Sequence, residues 1–149
     1  MRKISIQAGD FDAASECDTL AGGRPDAGAI VTFMGWVRGD DRVTALTLEH
    51  YPGMTEREID RHIQDAESRW PILGATIIHR VGRLAPGDRI VLVAVASTHR
   101  GPAFEAAEFL IDYLKTRAPF WKLEHRGSVV TWVESRKTDE AAAVRWLPS

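Results

Sequence analysis

The stretch STHRGPAFEAAEFLIDYLKTRAPFWK, Ser97–Lys122, places one helix between two strand-like segments and gathers imidazole, guanidinium and amine groups around it. Gly101-Pro102 suits a turn leading into the first helical residue, because proline there gives up no N–H that the helix needs. The pattern predicts a helix from Pro102 to Lys115. His99 and Arg100 directly precede it, where unpaired amides and the positive end of the helix dipole favour phosphate or carboxylate, and an arginine can add a bidentate contact. At the far end Lys115, Arg117 and Lys122 bracket Ala118-Pro119-Phe120-Trp121, a cationic cluster beside aromatic surface.

On either side of this helix the chain reads as strands. Ala75 to Val81 and Arg89 to Ser97 are rich in β-branched residues and are joined through LAPGD, whose Pro-Gly pair fits a tight turn. Phe120 to His125 and Val129 to Val133 can pair around RGS, and Thr138 to Trp146 makes a short terminal helix. Further upstream, Ala29 to Val37 (AIVTFMGWV) and Val43 to His50, separated by the turn-like RGDDR, read as another hairpin. Thr55 with Glu58 three residues later carries a capping-box signature. The helix it opens runs to Trp70, with Ile59, Ile63, Ala66 and Trp70 on one apolar stripe, and Pro71 ends it. Lys3 to Ile6 suggests a short strand and Phe11 to Leu20 a weak helix. Hairpins with two main helices give an α+β class, mainly antiparallel, rather than the βαβ repetition of a doubly wound sheet. No repeat or polar linker divides the 149 residues, so the expectation is a single domain over 1–149.

A net charge of -2 argues against a general nucleic-acid binder, so the basic residues matter locally. The single cysteine, Cys17, excludes an internal disulfide framework and fits a reducing compartment. Cys17 falls in the least structured part of the chain with no base beside it, so a buried or tolerated thiol outranks a nucleophile. No apolar signal core opens the chain and no run of about 18 apolar residues occurs, which points to a cytoplasmic protein outside membranes.

Position alone leaves each candidate cation with two readings. Lys115 and Arg117 satisfy the C-terminal dipole of a helix as well as they would serve chemistry. Lys122, in a strand after Phe120-Trp121, is equally a snorkelling lysine over aromatic surface. Arg38 follows a strand end and can point into a cleft. His50, His62, His79 and His125 have no metal-ligand spacing and read as surface or core-edge residues. Thirteen helical steps put the Pro102 end about 20 Å from Lys115. If His99-Arg100 and Lys115 serve one ligand, either this helix is shorter than its pattern predicts or a second copy of the chain completes the site, and the second copy is the favoured reading.

Six segments together resemble the catalytic, large subunit of molybdopterin synthase: TFMGWVR (Thr32–Arg38), ALTLEHYPGMTE (Ala45–Glu56), RWP (Arg69–Pro71), HRVGRLAPGD (His79–Asp88), Ser97–Lys122 and WVESR (Trp132–Arg136). The resemblance implies an α/β-hammerhead-like fold and a cytosolic sulfurtransferase of molybdenum cofactor synthesis. Such an enzyme converts cyclic pyranopterin monophosphate into molybdopterin by installing two dithiolene sulfurs. It implies a small ubiquitin-like carrier subunit ending in a Gly-Gly thiocarboxylate, a homodimer within a heterotetramer, and no cofactor or metal for the transfer itself. The family's catalytic lysines fall on Lys115 and Lys122, and its substrate-binding positions on Arg38, His99, Arg100 and Arg136. Trp36 stands where some members carry lysine, and Leu123 where others carry arginine. The competing classes are a dimeric scaffold that binds the carrier without chemistry and a pterin-phosphate sensor.

Overall fold

In the computed structural model, which describes residues 1–133 and 137–148, eight strands form two four-stranded sheets. The elements run β1 (Arg2–Gln7), α1 (Ala13–Ala21), β2 (Ala29–Trp36), β3 (Ala45–His50), α2 (Met54–Arg69) and β4 (Ile72–Arg80). They continue with β5 (Gly82–Leu84), β6 (Arg89–Ser97), α3 (Arg100–Thr116), β7 (Phe120–Arg126), β8 (Val129–Val133) and α4 (Lys137–Val144). Sheet A has the order β1-β4-β6-β2 and sheet B the order β5-β3-β7-β8. All neighbours are antiparallel except β1 and β4. The α+β class holds.

Sheet A is central because β6 is apolar on both faces. Val91, Val93 and Val95 join the core under α2 and α3, while Leu92, Ala94 and Ala96 face the other way, toward Phe11 and Leu20. This is the period-2 alternation of a strand covered on both sides. Helix α2 contributes Ile59, Ile63 and Ala66, and α3 contributes Ala106, Phe109, Leu110 and Tyr113, so the stripe read in α2 is the buried one. Cys17 lies on α1, packed near Leu20, and is not in an unstructured segment; burial pushes its thiol up, which disfavours a nucleophile.

Two local readings are corrected. β2 and β3 do not form a hairpin: β2 pairs with β6 and β3 with β5 and β7, in the other sheet. The reason lies at the end of β2, where the Val37 N–H donates to the Asp88 carbonyl and the Gly87 N–H to the Val37 carbonyl, both at 2.8 Å. These bonds hold the strand end to the turn before β6, and the chain crosses to sheet B through Asp41 and Arg42, both at positive φ. The capping box also sits elsewhere. Gly53, at φ 83°, is the N-cap, and its N–H donates to Glu56 Oε2 at 2.6 Å. Thr55 is buried inside the first turn and donates to the Tyr51 carbonyl at 2.9 Å.

The β4–β6 pairing holds, with β5 leaving for sheet B between them, and the β7–β8 hairpin turns at Gly127, φ 63°. Helix α3 begins at Arg100 rather than Pro102. Pro102 is still tolerated, because the first four N–H groups of a helix have no partner within it.

Candidate functional site

Where the two sheets meet, a cleft of about 480 Å³ opens between the end of β2, the last turn of α3, β7 and the start of α4. Arg38, Lys115 and Lys122 all line it, together with Trp36, Phe120, Glu124 and Asp139. Each cation is delivered by a different local device. Pro119 stops the chain after α3, whose end is closed by the Arg117 N–H donating to the Tyr113 carbonyl at 2.8 Å, leaving Lys115 in the final turn. Alternation along β7 places Phe120, Lys122 and Glu124 on one face, the face that meets the cleft. Arg38 follows Val37, whose backbone is tied to Asp88 and Gly87.

Among the described residues no hydrogen bond or ion pair joins Arg38, Lys115 or Lys122 to a carboxylate, whereas eight other Arg, Lys and His side chains make ion pairs. Glu124, the nearest acidic candidate on β7, is taken by Arg126 at 2.7 Å. Asp40 and Asp139 also line the cleft, but among the described residues neither is bonded to these three cations, so their positive charge stays available to an anion. Burial, and then the charge of Lys115, bring the Lys122 amine down to about 8, with Asp139 and Glu124 pulling weakly the other way. An amine at that value is neutral for about a tenth of the time at pH 7, against roughly 0.03 % at its ordinary value. The cleft therefore offers both fixed positive charge and a group that can exchange a proton.

His99 and Arg100 are exposed at the opposite end of α3 and do not line this cleft. His99 is the N-cap, and at 1.5 Å per residue it stands about 24 Å along the axis from Lys115. One chain thus brings together three of the six residues singled out from sequence. Arg136 lies outside the described residues.

Two histidines read as surface or core-edge prove closer to the site. His79 is buried in sheet A with its ring stacked on Phe120, and His50 approaches the same phenyl ring from β3. The signal for His79 was available: it stands two residues beyond Ile77 in β4, so it shares that residue's core face. Trp36, half exposed at the cleft, was visible in the motif but not its position. No group of three or more His, Cys, Asp or Glu that could hold a metal occurs among the described residues, and no described helix is long and apolar enough to cross a membrane.

Comparison with known proteins adds a second line of observation. The model of the family described as MoaE protein matches residues 6–117. The chain is 55% identical over 149 residues to the molybdopterin synthase catalytic subunit of Mesorhizobium japonicum, covering 98% of this chain and 94% of the relative. It is 51% identical over 147 residues to the subunit of that name from Escherichia coli, covering 97% of each. A solved structure of the molybdopterin biosynthesis MoaE protein from Burkholderia ambifaria superposes with a TM-score of 0.85 at 49% identity, covering 98% of both chains.

Proposed function

Because this chain belongs to the MoaE family and is a catalytic subunit of molybdopterin synthase, an enzyme that transfers sulfur in molybdopterin formation, we propose that the three-cation cleft is where the transfer occurs. The observation that carries the proposal is the convergence of Arg38, Lys115 and Lys122, all without carboxylate partners among the described residues, on one cleft. Their chemistry matches the reaction. The substrate is a cyclic pyranopterin monophosphate and the sulfur donor is the thiocarboxylate of a small carrier subunit; both are anions, and the carrier's acyl group passes through a negatively charged tetrahedral species.

Arg38 holds the phosphate. Lys115 supplies charge to the developing oxyanion, where preorganised donors act most strongly in a site that excludes water. Lys122 is the amine that takes or gives a proton, or attacks, because burial beside Lys115 keeps part of it neutral. His99 and Arg100 serve the cleft of a second copy, and their distance from Lys115 along α3 supports that composite site. Arg136 binds substrate with them. The working assembly is then a dimer of this chain with a carrier subunit at each cleft, its C-terminal Gly-Gly tail reaching the lysines.

The test mixes this protein with the cyclic pterin monophosphate and a thiocarboxylated carrier and reads the product by mass spectrometry, with unmodified carrier as control. Gain of two sulfurs only with the thiocarboxylate is expected. With carrier binding demonstrated and substrate intact, no gain of sulfur refutes the reading in favour of a scaffold.

A further inference from the structure

His79 has no part in the chemistry above, yet its setting is unusual for a titratable group. It sits on β4 of sheet A, 5% exposed, and its Nδ1 lies 2.9 Å from the Arg80 carbonyl, to which it donates. Its ring stacks on Phe120 of β7 with centroids 4.1 Å apart and planes at 21°. Phe120 belongs to the other sheet, where the backbone ladder pairs β7 only with β3 and β8. His79 is therefore a side-chain link between sheet A and the strand that carries Lys122. Phe120 and Lys122 are two residues apart on one face of that strand, and both line the cleft.

We propose that His79 is a positioning residue for Lys122: its ring, anchored on sheet A, seats Phe120 and so holds the β7 face that presents the lysine amine to the cleft, with water excluded beneath it. This rests on the reading of Lys122 as the reacting amine. A histidine serves here only while uncharged, and the surroundings keep it so. Burial is the largest cause and brings its pKa down to about 3; it outweighs the upward pull of the bond to Arg80, and the charges of Lys122, Lys115 and His50 each add a smaller downward push. His50 in turn faces Glu56, at 3.8 Å. The groups bearing on Lys122 itself are Lys115 from α3, Asp139 from α4 and Glu124 on its own strand. Desolvation is the largest cause of the lowered Lys122 value, so a gap that admitted water under Phe120 would undo it.

The experiment follows the pH dependence of single-turnover sulfur transfer in the complex with thiocarboxylated carrier. In His79→Ala the inflection moves from about 8 toward the ordinary lysine value of 10.5, and the rate at pH 7 falls about tenfold for each unit of movement, while carrier affinity is unchanged. His79→Phe, which keeps a neutral stacked ring, restores the low inflection. Phe120→Ala removes the other half of the stack, reproduces the His79→Ala profile, and decides the question if His79→Ala does not fold. An inflection that stays at the wild-type pH in a folded His79→Ala or Phe120→Ala protein overturns the proposal. Lys122→Ala separates the two levels of argument: full activity in that variant overturns the functional reading and this inference with it, whereas an inactive Lys122→Ala beside unmoved His79→Ala and Phe120→Ala profiles overturns this inference alone.

Discussion

Replacing His79 by phenylalanine removes an acid-sensitive group from the core, and the effect on stability can be worked out from its surroundings. A histidine held neutral, with its folded pKa near 3 against 6.5 when exposed, binds fewer protons in the folded state than in the unfolded state between those values. Stability therefore rises with pH across that window and is lost as pH falls below 6.5. From pH 7.5 to pH 5 the loss attributable to His79 is about 2 kcal/mol, which for a urea slope of 1–3 kcal/mol per molar lowers the midpoint by roughly 1 M. His62, also depressed by burial, acts in the same direction. Asp10, held below the usual carboxylate range by hydrogen bonds from Arg89 and from the Phe11 N–H, titrates lower still and stays out of this range. Urea unfolding of wild type and His79→Phe at both pH values is the assay. The variant should keep only the smaller dependence that His62 leaves. A variant whose midpoint falls as far as that of wild type would refute the argument that His79 is buried and neutral.

Three further outcomes follow from the site and its scaffold. The rate of sulfur transfer should climb with a slope of about one per pH unit and level off near pH 8, where Lys122 loses its proton, and Lys122→Arg should abolish that limb; stopped-time assays from pH 6 to 9.5 read both. Trp36→Ala, which strips a half-exposed aromatic ring from the cleft, should raise KM for the pterin about 2- to 10-fold with kcat little changed, as measured by steady-state titration of the substrate. Glu56→Ala should lower stability by about 1 kcal/mol through loss of the bond from the Gly53 N–H, read in thermal or urea unfolding with activity retained in the folded fraction.

The elements were legible wherever one short-range signal dominated. The apolar stripe Ile59-Ile63-Ala66, the Pro-Gly turn before β6 and the Gly127 turn each appear as read, because period and turn chemistry act within a few residues. Pairing was less legible. β2 and β3 look like hairpin partners across RGDDR, but the backbone of Val37 binds the turn at Gly87-Asp88, some 50 residues on, and no local pattern records that bond. The capping box went to Gly53 and Glu56 because a positive-φ glycine set the start of α2 two residues before Thr55. At the site, Lys115 and Lys122 were found as residues, but their convergence with Arg38 depends on how the two sheets meet. Spacing does not encode that. His79 has no metal-ligand spacing; what places it in the core is the strand face it shares with Ile77.

The measurement that bears most directly on the central claim compares wild type with Lys122→Ala in one mass-spectrometric assay of the pterin, with thiocarboxylated carrier and with carrier binding measured alongside. The account predicts two added sulfurs with wild type and none with the variant at equal carrier occupancy. Two sulfurs added by Lys122→Ala at the wild-type rate would contradict it.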